Sequence, residues 1–258
     1  MSTSLGPSRQ RRLAAVLAVA GIALSGLVAL AVPAAAQSVT LDFGDAGSNS
    51  GRVVQLFILL TVLSLAPSIL VMVTSFTRIV VVLSFLRSAI GLQQTPPNAV
   101  VISLALFLTA FVMGPAFETA YRDGIQPLIE NRMSETDAFE RAVRPFHAFM
   151  MRQVREQDLR LFFDMARIPA AATREETPLR VLVPAFMISE LRRAFEIGFL
   201  LFIPFLIIDM VVASVLMSMG MMMLPPVMMS LPFKLIFFVL VDGWYLVAGS
   251  LVQSFGTG

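Results

Sequence analysis

The chain has 258 residues, of which 57% are hydrophobic, and its mean hydropathy is +0.82. This is too apolar for an ordinary soluble domain, in which roughly half of the residues are apolar. The lack of cysteine excludes disulfide bonds, thiolate zinc sites and cysteine nucleophiles. Of the 36 charged side chains, 21 lie from Glu118 to Arg180, which is typical of membrane helices flanking one water-facing segment.

Residues 1–36 predict a signal peptide. Three arginines within 9–12 precede an apolar stretch at 13–32, and an A-x-A site predicts cleavage after Ala36. An uncleaved anchor helix is the alternative. Residues 37–52 then form a polar leader rich in Gly, Ser and Asp. Without those three arginines the chain has 16 basic and 17 acidic residues, so its charge gives no argument for nucleic-acid binding.

Residues 53–117 predict a first apolar helical hairpin. Its first apolar run, 53–73, is long enough to cross a bilayer, which takes about 20 residues. A second run at 99–113 follows the helix-breaking sequence QQTPPN at 93–98. Residues 74–92, which lead into this break, hold two arginines and no acidic residue. The positive-inside rule therefore places the connection in the cytoplasm.

Residues 118–182 predict a hydrophilic helical insert on the periplasmic side. The sequence SETD, beginning at Ser134, resembles a helix N-terminal cap. Apolar residues then recur at helical spacing, while charged residues fill the opposite face. The apolar positions are Phe139, Val143, Phe146, Met150 and Val154, with Leu161 and Met165 beyond. We interpret the charges mostly as a solvated face, and contact with neighbouring subunits is the alternative.

Residues 183–258 predict a second apolar hairpin with a methionine-rich loop. Eight of the 16 methionines lie from Met210 to Met229, around a helix break that Gly220 and the double proline Pro225-Pro226 indicate. Thioethers are soft, flexible and uncharged, so several copies of such a loop could seal a pore and still yield to a polypeptide. Ordinary packing or lipid contact is one alternative, and Cu(I) binding is another.

Charges inside apolar segments are a second candidate site. A charge facing hydrocarbon costs about 3 kcal/mol or more, so such residues usually pair or face a polar interior. Lys234 stands alone among apolar neighbours, and Glu190 lacks a local partner because the adjacent arginines can reach Glu196. We therefore predict an ion pair between Glu190 and Lys234, within one subunit or between neighbours. Asp209 and Asp242 are rival partners, and Lys234 could instead extend to the membrane interface.

The predicted fold class is all-α: integral membrane helical hairpins with kinked helices and the small insert. Prolines inside apolar segments predict kinks in helices that pack against each other. These prolines are Pro67, Pro115, Pro184, Pro204 and Pro232.

Enzyme signatures are absent from the sequence. It contains no phosphate-binding loop, no H-E-x-x-H and no G-x-S-x-G, and a single histidine cannot build a histidine-based metal site. We therefore expect no covalent chemistry, no cofactor and no metal. On the residues alone, the protein is a channel subunit, a small-solute or Cu(I) transporter, or a non-conducting scaffold.

Several motifs resemble the FliP family, whose members are subunits of the flagellar type III protein export gate. The resemblance covers about residues 53–255. Its motifs are TSFTRIVVVL at 74–83, QTPPN at 94–98, FMMRQ at 149–153, VPAF at 183–186, SEL at 189–191, FIPFLIID at 202–209, GMMMLPP at 220–226, LPFKL at 231–235 and VDGW at 241–244.

The resemblance implies a channel in the bacterial inner membrane, within the flagellar basal body, through which unfolded flagellar proteins pass. Five such subunits assemble helically with four FliQ and one FliR, and FlhA and FlhB adjoin them on the cytoplasmic side. By position, the pore gasket falls on Met221, Met222 and Met223, with Met219 nearby. The resemblance also implies that Glu190 and Lys234 form an intersubunit ion pair.

Overall fold

The computed structural model describes residues 49–92, 94–169, 173–221 and 223–256. The predicted signal peptide, most of the predicted leader and Met222 lie outside the described residues. The chain divides into two units, 1–57 and 58–258. Of the first unit, residues 49–57 are described, and they form the start of a helix.

Every regular element in the described residues is helical, which confirms the predicted all-α class there. The α-helices are α1 (Asn49–Met72), α2 (Phe76–Ile90), α3 (Asn98–Ala120), α4 (Gln126–Ile129), α5 (Glu135–Gln153), α6 (Glu156–Ala166), α7 (Leu179–Ser218), α8 (Pro226–Leu240) and α9 (Gly243–Gln253). A π-helical turn, Tyr121–Ile125, joins α3 to α4.

Two helical stretches are long and apolar enough to cross a membrane: Asn98–Ile129 and Leu179–Ser218. Two bent pairs also qualify if each pair is one span. The segment Leu56–Met72 of α1 meets α2 at 66°, and α8 meets α9 at 64°. By length and composition, the described part of the chain therefore holds two to four candidate spans.

The break predicted between the two arms of the first hairpin is present. Helix α2 ends at Ile90 because Gly91 adopts a left-handed conformation, with φ of +90°. Helix α3 begins at Asn98, directly after Pro97. The apolar run that stops at Gly114 does not end α3, which continues through Pro115 to Ala120.

The five prolines singled out in the sequence all lie inside helices. Pro184 and Pro204 both belong to α7, which runs unbroken for 40 residues. The others lie in α1, α3 and α8. Proline is tolerated where neighbouring helices or side chains satisfy the freed carbonyls, as in packed apolar helices.

The core of the second unit lies where α2 packs against α7. Leu86 of α2 and Phe186 of α7 are among its buried residues. The two helices come very close at Gly198, where an added Cβ would lie 2.6 Å from the ring of Phe85. The Phe85 ring fills the space that a side chain at position 198 would need, so the crossing accommodates only glycine without a shift of its neighbours.

The insert contains the predicted helix cap. Ser134 is the N-cap of α5, and its Oγ accepts a hydrogen bond of 3.2 Å from the N–H of Asp137. The predicted apolar face is only partly buried. Met150 is 1% exposed, whereas Phe139 is 66% exposed and Met165 of α6 is 68% exposed. Some large apolar side chains of the insert are therefore exposed in the single chain.

Candidate functional site: two interhelical ion pairs and a methionine loop

A buried arginine joins four parts of the chain. Arg78 of α2 is fully buried, and all five of its N–H groups have acceptors. Nε donates to Glu190 Oε2 at 2.9 Å, and Nη2 donates to Glu190 Oε1 and to Gln153 Oε1. Nη1 donates to the carbonyl and hydroxyl oxygens of Ser254, each at 3.0 Å. The two hydrogen bonds from Arg78 to Glu190 form a bidentate ion pair, which is both strong and directional.

The acceptors around this arginine are themselves held in place. Gln153 Oε1 also accepts from Arg193 Nη1 at 2.9 Å, and Gln153 Nε2 donates to the carbonyl of Phe255 at 3.0 Å. The Phe255 ring lies 3.8 Å from the guanidinium carbon, in cation–π contact. We call Arg78, Gln153, Glu190, Ser254 and Phe255 the Arg78 cluster. It fastens the turn after α9 to α2, to the end of α5 and to α7.

Sequence reasoning missed the role of Arg78. The residue counted only as one of two arginines before the helix break, which set the membrane orientation. The signal that could have found it is the one that singled out Lys234: a single charge among apolar neighbours. Arg78 lies between Thr77 and Ile79, and it requires a buried partner for the same reason.

A second polar cluster joins α2, α7 and α8. Lys234 of α8 is 3% exposed, and its Nζ donates to Asp209 Oδ2 at 2.7 Å and to the carbonyl of Ala89 at 3.2 Å. The hydroxyl of Ser230 donates to the other carboxylate oxygen, Asp209 Oδ1. We call Asp209, Ser230 and Lys234 the clamp. It lies within the second hairpin and reaches the last turn of α2 through Ala89.

The structure does not bring Glu190 and Lys234 together within the chain. Glu190 pairs with Arg78, and Lys234 pairs with Asp209, one of the two rivals named from the sequence. A Glu190–Lys234 pair within one subunit is therefore wrong, because tertiary packing supplies each charge with a nearer partner. Lys234 does not extend to solvent either, since it is buried. A pair between neighbouring subunits stays a prediction.

The methionine loop is the connection between α7 and α8. Helix α7 ends at Ser218, and Gly220 adopts a φ of +75°, in the left-handed region that favours glycine. Pro225 precedes Pro226, where α8 begins. The described methionines of the loop are exposed in this single chain: Met219 to 62%, Met221 to 42% and Met223 to 98%.

An apolar cleft of about 550 Å³ lies between the two arms of this hairpin. It begins near the clamp and extends to the methionine loop, since Met219 is part of its wall. Its lining residues are all apolar: Ile207, Ile208, Val211, Val212, Val215, Leu216, Met219, Met229 and Phe233. The arms are therefore incompletely packed against each other between the clamp and the loop.

Within the described ranges, no group of three or more His, Cys, Asp or Glu side chains could hold a metal ion. The polar chemistry of the site consists of ion pairs and hydrogen bonds between helices. Fold and site together define a helical protein with helices long and apolar enough to cross a membrane, and with buried charges gathered into pairs.

Comparison with known proteins places the chain more closely. It belongs to the FliP family, whose model matches residues 59–251. The chain is 62% identical to the flagellar biosynthetic protein FliP of Caulobacter vibrioides over 248 residues, which cover 96% of this chain and 92% of that protein. It is 56% identical to the FliP of Bacillus subtilis over 207 residues, which cover 80% of this chain and 94% of that protein.

Proposed function

We propose that the chain is a channel-forming subunit of the flagellar type III export gate, and that unfolded flagellar proteins pass through the channel across the inner membrane. The observation that carries the proposal is the family match over residues 59–251, together with relatives that are flagellar biosynthetic proteins over nearly their whole length. The subunit does no covalent chemistry and needs no cofactor in this proposal.

The exposed surface of the single chain supports assembly with other membrane subunits. Large apolar side chains on α3, α7 and α8 are widely exposed, among them Phe107 at 77%, Phe199 at 67% and Leu240 at 80%. Large apolar side chains exposed in such number on long apolar helices are expected to contact lipid or partner proteins. We propose that five copies assemble with four FliQ and one FliR, with FlhA and FlhB on the cytoplasmic side, and that no nucleic acid takes part.

The methionine loop is the proposed gate of this channel. Its methionines stand at the tip of a hairpin, joined to rigid helices at both ends, and Met223 is almost completely exposed. Copies of Met219, Met221, Met222 and Met223 from several subunits would meet as a flexible apolar gasket that excludes ions. The gasket would deform around a passing polypeptide because thioether side chains have several rotatable bonds and no preferred polar partner.

The proposed topology follows the charge pattern. The signal peptide directs the mature N-terminus across the membrane, and Arg87, which lies at the α2–α3 connection, keeps that connection in the cytoplasm. The insert 118–182 then lies on the periplasmic side, in the basal body. The intersubunit Glu190–Lys234 pair belongs to the same proposal, and it requires assembly to expose two side chains that are buried in the single chain.

Disulfide cross-linking to an export substrate arrested in the channel tests the proposal directly. Because the chain has no cysteine, an introduced cysteine is its only thiol. A cysteine introduced by Met223→Cys should form a disulfide with cysteines in an export substrate arrested by a folded domain. The matched control is Phe107→Cys, which is also highly exposed but lies on α3. Cross-linking at 223 and not at 107 supports a channel at the loop, whereas equal or absent cross-linking at both positions contradicts it.

A further inference from the structure

The clamp lies at one end of the cleft, and the methionine loop lies at the other. From Asp209 to the end of α7 at Ser218 is nine residues, or about 14 Å along the helix. From the start of α8 at Pro226 to Lys234 is eight residues, or about 12 Å. The hairpin thus has two arms of nearly equal length that extend from one polar attachment point.

The clamp is the directional attachment between the arms. In the described part of the hairpin, the side-chain hydrogen bonds between α7 and α8 are those of Asp209 with Ser230 and Lys234. Beyond the clamp the facing side chains are apolar, and apolar contacts have no fixed direction. Lys234 is buried whereas Asp209 is partly exposed, so separation of the pair would leave the lysine charge buried without a counter-charge, which is costly.

The cleft gives the arms room to move. The cleft of about 550 Å³ is an open apolar groove between two consecutive helices, so the arms are not in full contact there. Because the cleft is lined by apolar side chains alone, approach or separation of its walls breaks no side-chain hydrogen bond. Met219 lines the cleft and belongs to the loop, so any such rotation displaces the loop.

We propose that Asp209, Ser230 and Lys234 are positioning residues that form a pivot, about which the two arms rotate to move the methionine loop between closed and open positions. The inference deepens the proposed function and rests on it, because the loop is a gate only in that function. Through Ala89 the pivot is also tied to α2, so that α2 is the fixed support of the moving hairpin.

Ion conductance of membranes that carry the whole export complex tests the pivot. The variant D209L/K234M removes both charges together and keeps apolar volume, which avoids a lone buried charge. It should assemble and leak ions several-fold more than the unmodified complex, since the arms lose their fixed point. The charge-swapped variant D209K/K234D also loses the proposed intersubunit pair but keeps an ion pair in the clamp, so it should leak less than D209L/K234M. The matched control is R192Q/E196Q, which removes an exposed pair from the same helix and should not leak.

A second variant keeps the proposal testable if D209L/K234M fails to assemble. Val212→Phe fills the cleft and leaves the clamp intact. It should lower the rate of protein export several-fold without a leak, because the arms can no longer approach each other. Arg192→Phe places the same aromatic ring at an exposed polar position of α7 outside the cleft, and it should export normally.

The glycine replacement of Met221, Met222 and Met223 separates this inference from the proposed function. If that variant leaks while D209L/K234M assembles and stays tight, or while V212F exports normally, the pivot is wrong and the gate stands. If the glycine variant does not leak, the proposed gate itself is wrong and the pivot has nothing to move.

Discussion

Arg78 and Glu190 lie 112 residues apart in the sequence and form a bidentate ion pair that solvent does not reach. The pair joins the first apolar hairpin to the second, and Gln153 brings the end of the insert to the same point. A single buried guanidinium with five acceptors thus connects elements that the sequence presents as separate segments. Replacing a buried pair by apolar residues can be neutral, whereas removing one partner is costly.

Arg78→Met should therefore destabilise the subunit by about 3–5 kcal/mol, because it leaves the Glu190 carboxylate buried without a counter-charge. Thermal unfolding of the purified subunit in detergent measures the loss, and the amount of subunit in membranes should fall with it. Arg192→Met is the matched control, since its pair with Glu196 is 59% exposed on each side and contributes less than about 1 kcal/mol. Equal losses for the two variants would show that the Arg78 cluster has no special role.

The partner of Lys234 can be measured by double-mutant cycles on the isolated subunit. Asp209→Asn and Lys234→Met should show a coupling energy of about 1–3 kcal/mol, because the two side chains share a partly buried, charged hydrogen bond. Glu190→Gln and Lys234→Met should show additive effects, since each residue has another partner. Coupling between Glu190 and Lys234 that appears only in the assembled complex would support the predicted intersubunit pair.

The close approach of Gly198 to Phe85 predicts that a larger residue at 198 destabilises the subunit and that a smaller residue at 85 restores part of the stability. Gly198→Ala should destabilise the subunit by about 1–3 kcal/mol, because its Cβ would overlap the Phe85 ring. The double variant G198A/F85L should recover part of the loss, since a smaller side chain then faces the new methyl group. Gly249→Ala in α9 is the control: nothing lies within 4 Å of its Cβ, and helix propensity predicts a gain of up to about 1 kcal/mol. Thermal unfolding in detergent measures all three, and a neutral G198A would disprove the contact.

The features that could be predicted from the sequence are local ones. The helix break after Ile90 follows from a glycine and two prolines within a few residues, and the cap at Ser134 follows from a four-residue pattern. The exposed pair of Arg192 with Glu196 follows from helical spacing, with its atoms 2.9 Å apart. Each depends on residues at most one or two turns apart, whose geometry the helix itself sets.

The ion-pair partners could not be predicted, because they depend on how distant helices pack. Spacing left Asp209 and Asp242 as rivals for Lys234, and only the hairpin's packing brings Asp209 within 2.7 Å. The role of Ser254 and Phe255 had no sequence signal, since a backbone carbonyl and an apolar ring serve as the acceptor and the cation–π partner. Every buried charge in an apolar stretch does predict that some partner exists.

The central claim is that a methionine loop closes an export channel, and ion conductance tests it most directly. Met221, Met222 and Met223 are replaced together by glycine in membranes that carry the whole complex, with a triple leucine variant as the matched control. We predict that the glycine variant leaks ions while the leucine variant stays tight and exports protein, because leucine keeps the apolar bulk. Absence of a leak from the glycine variant, with export intact, would contradict the claim and return these methionines to ordinary packing.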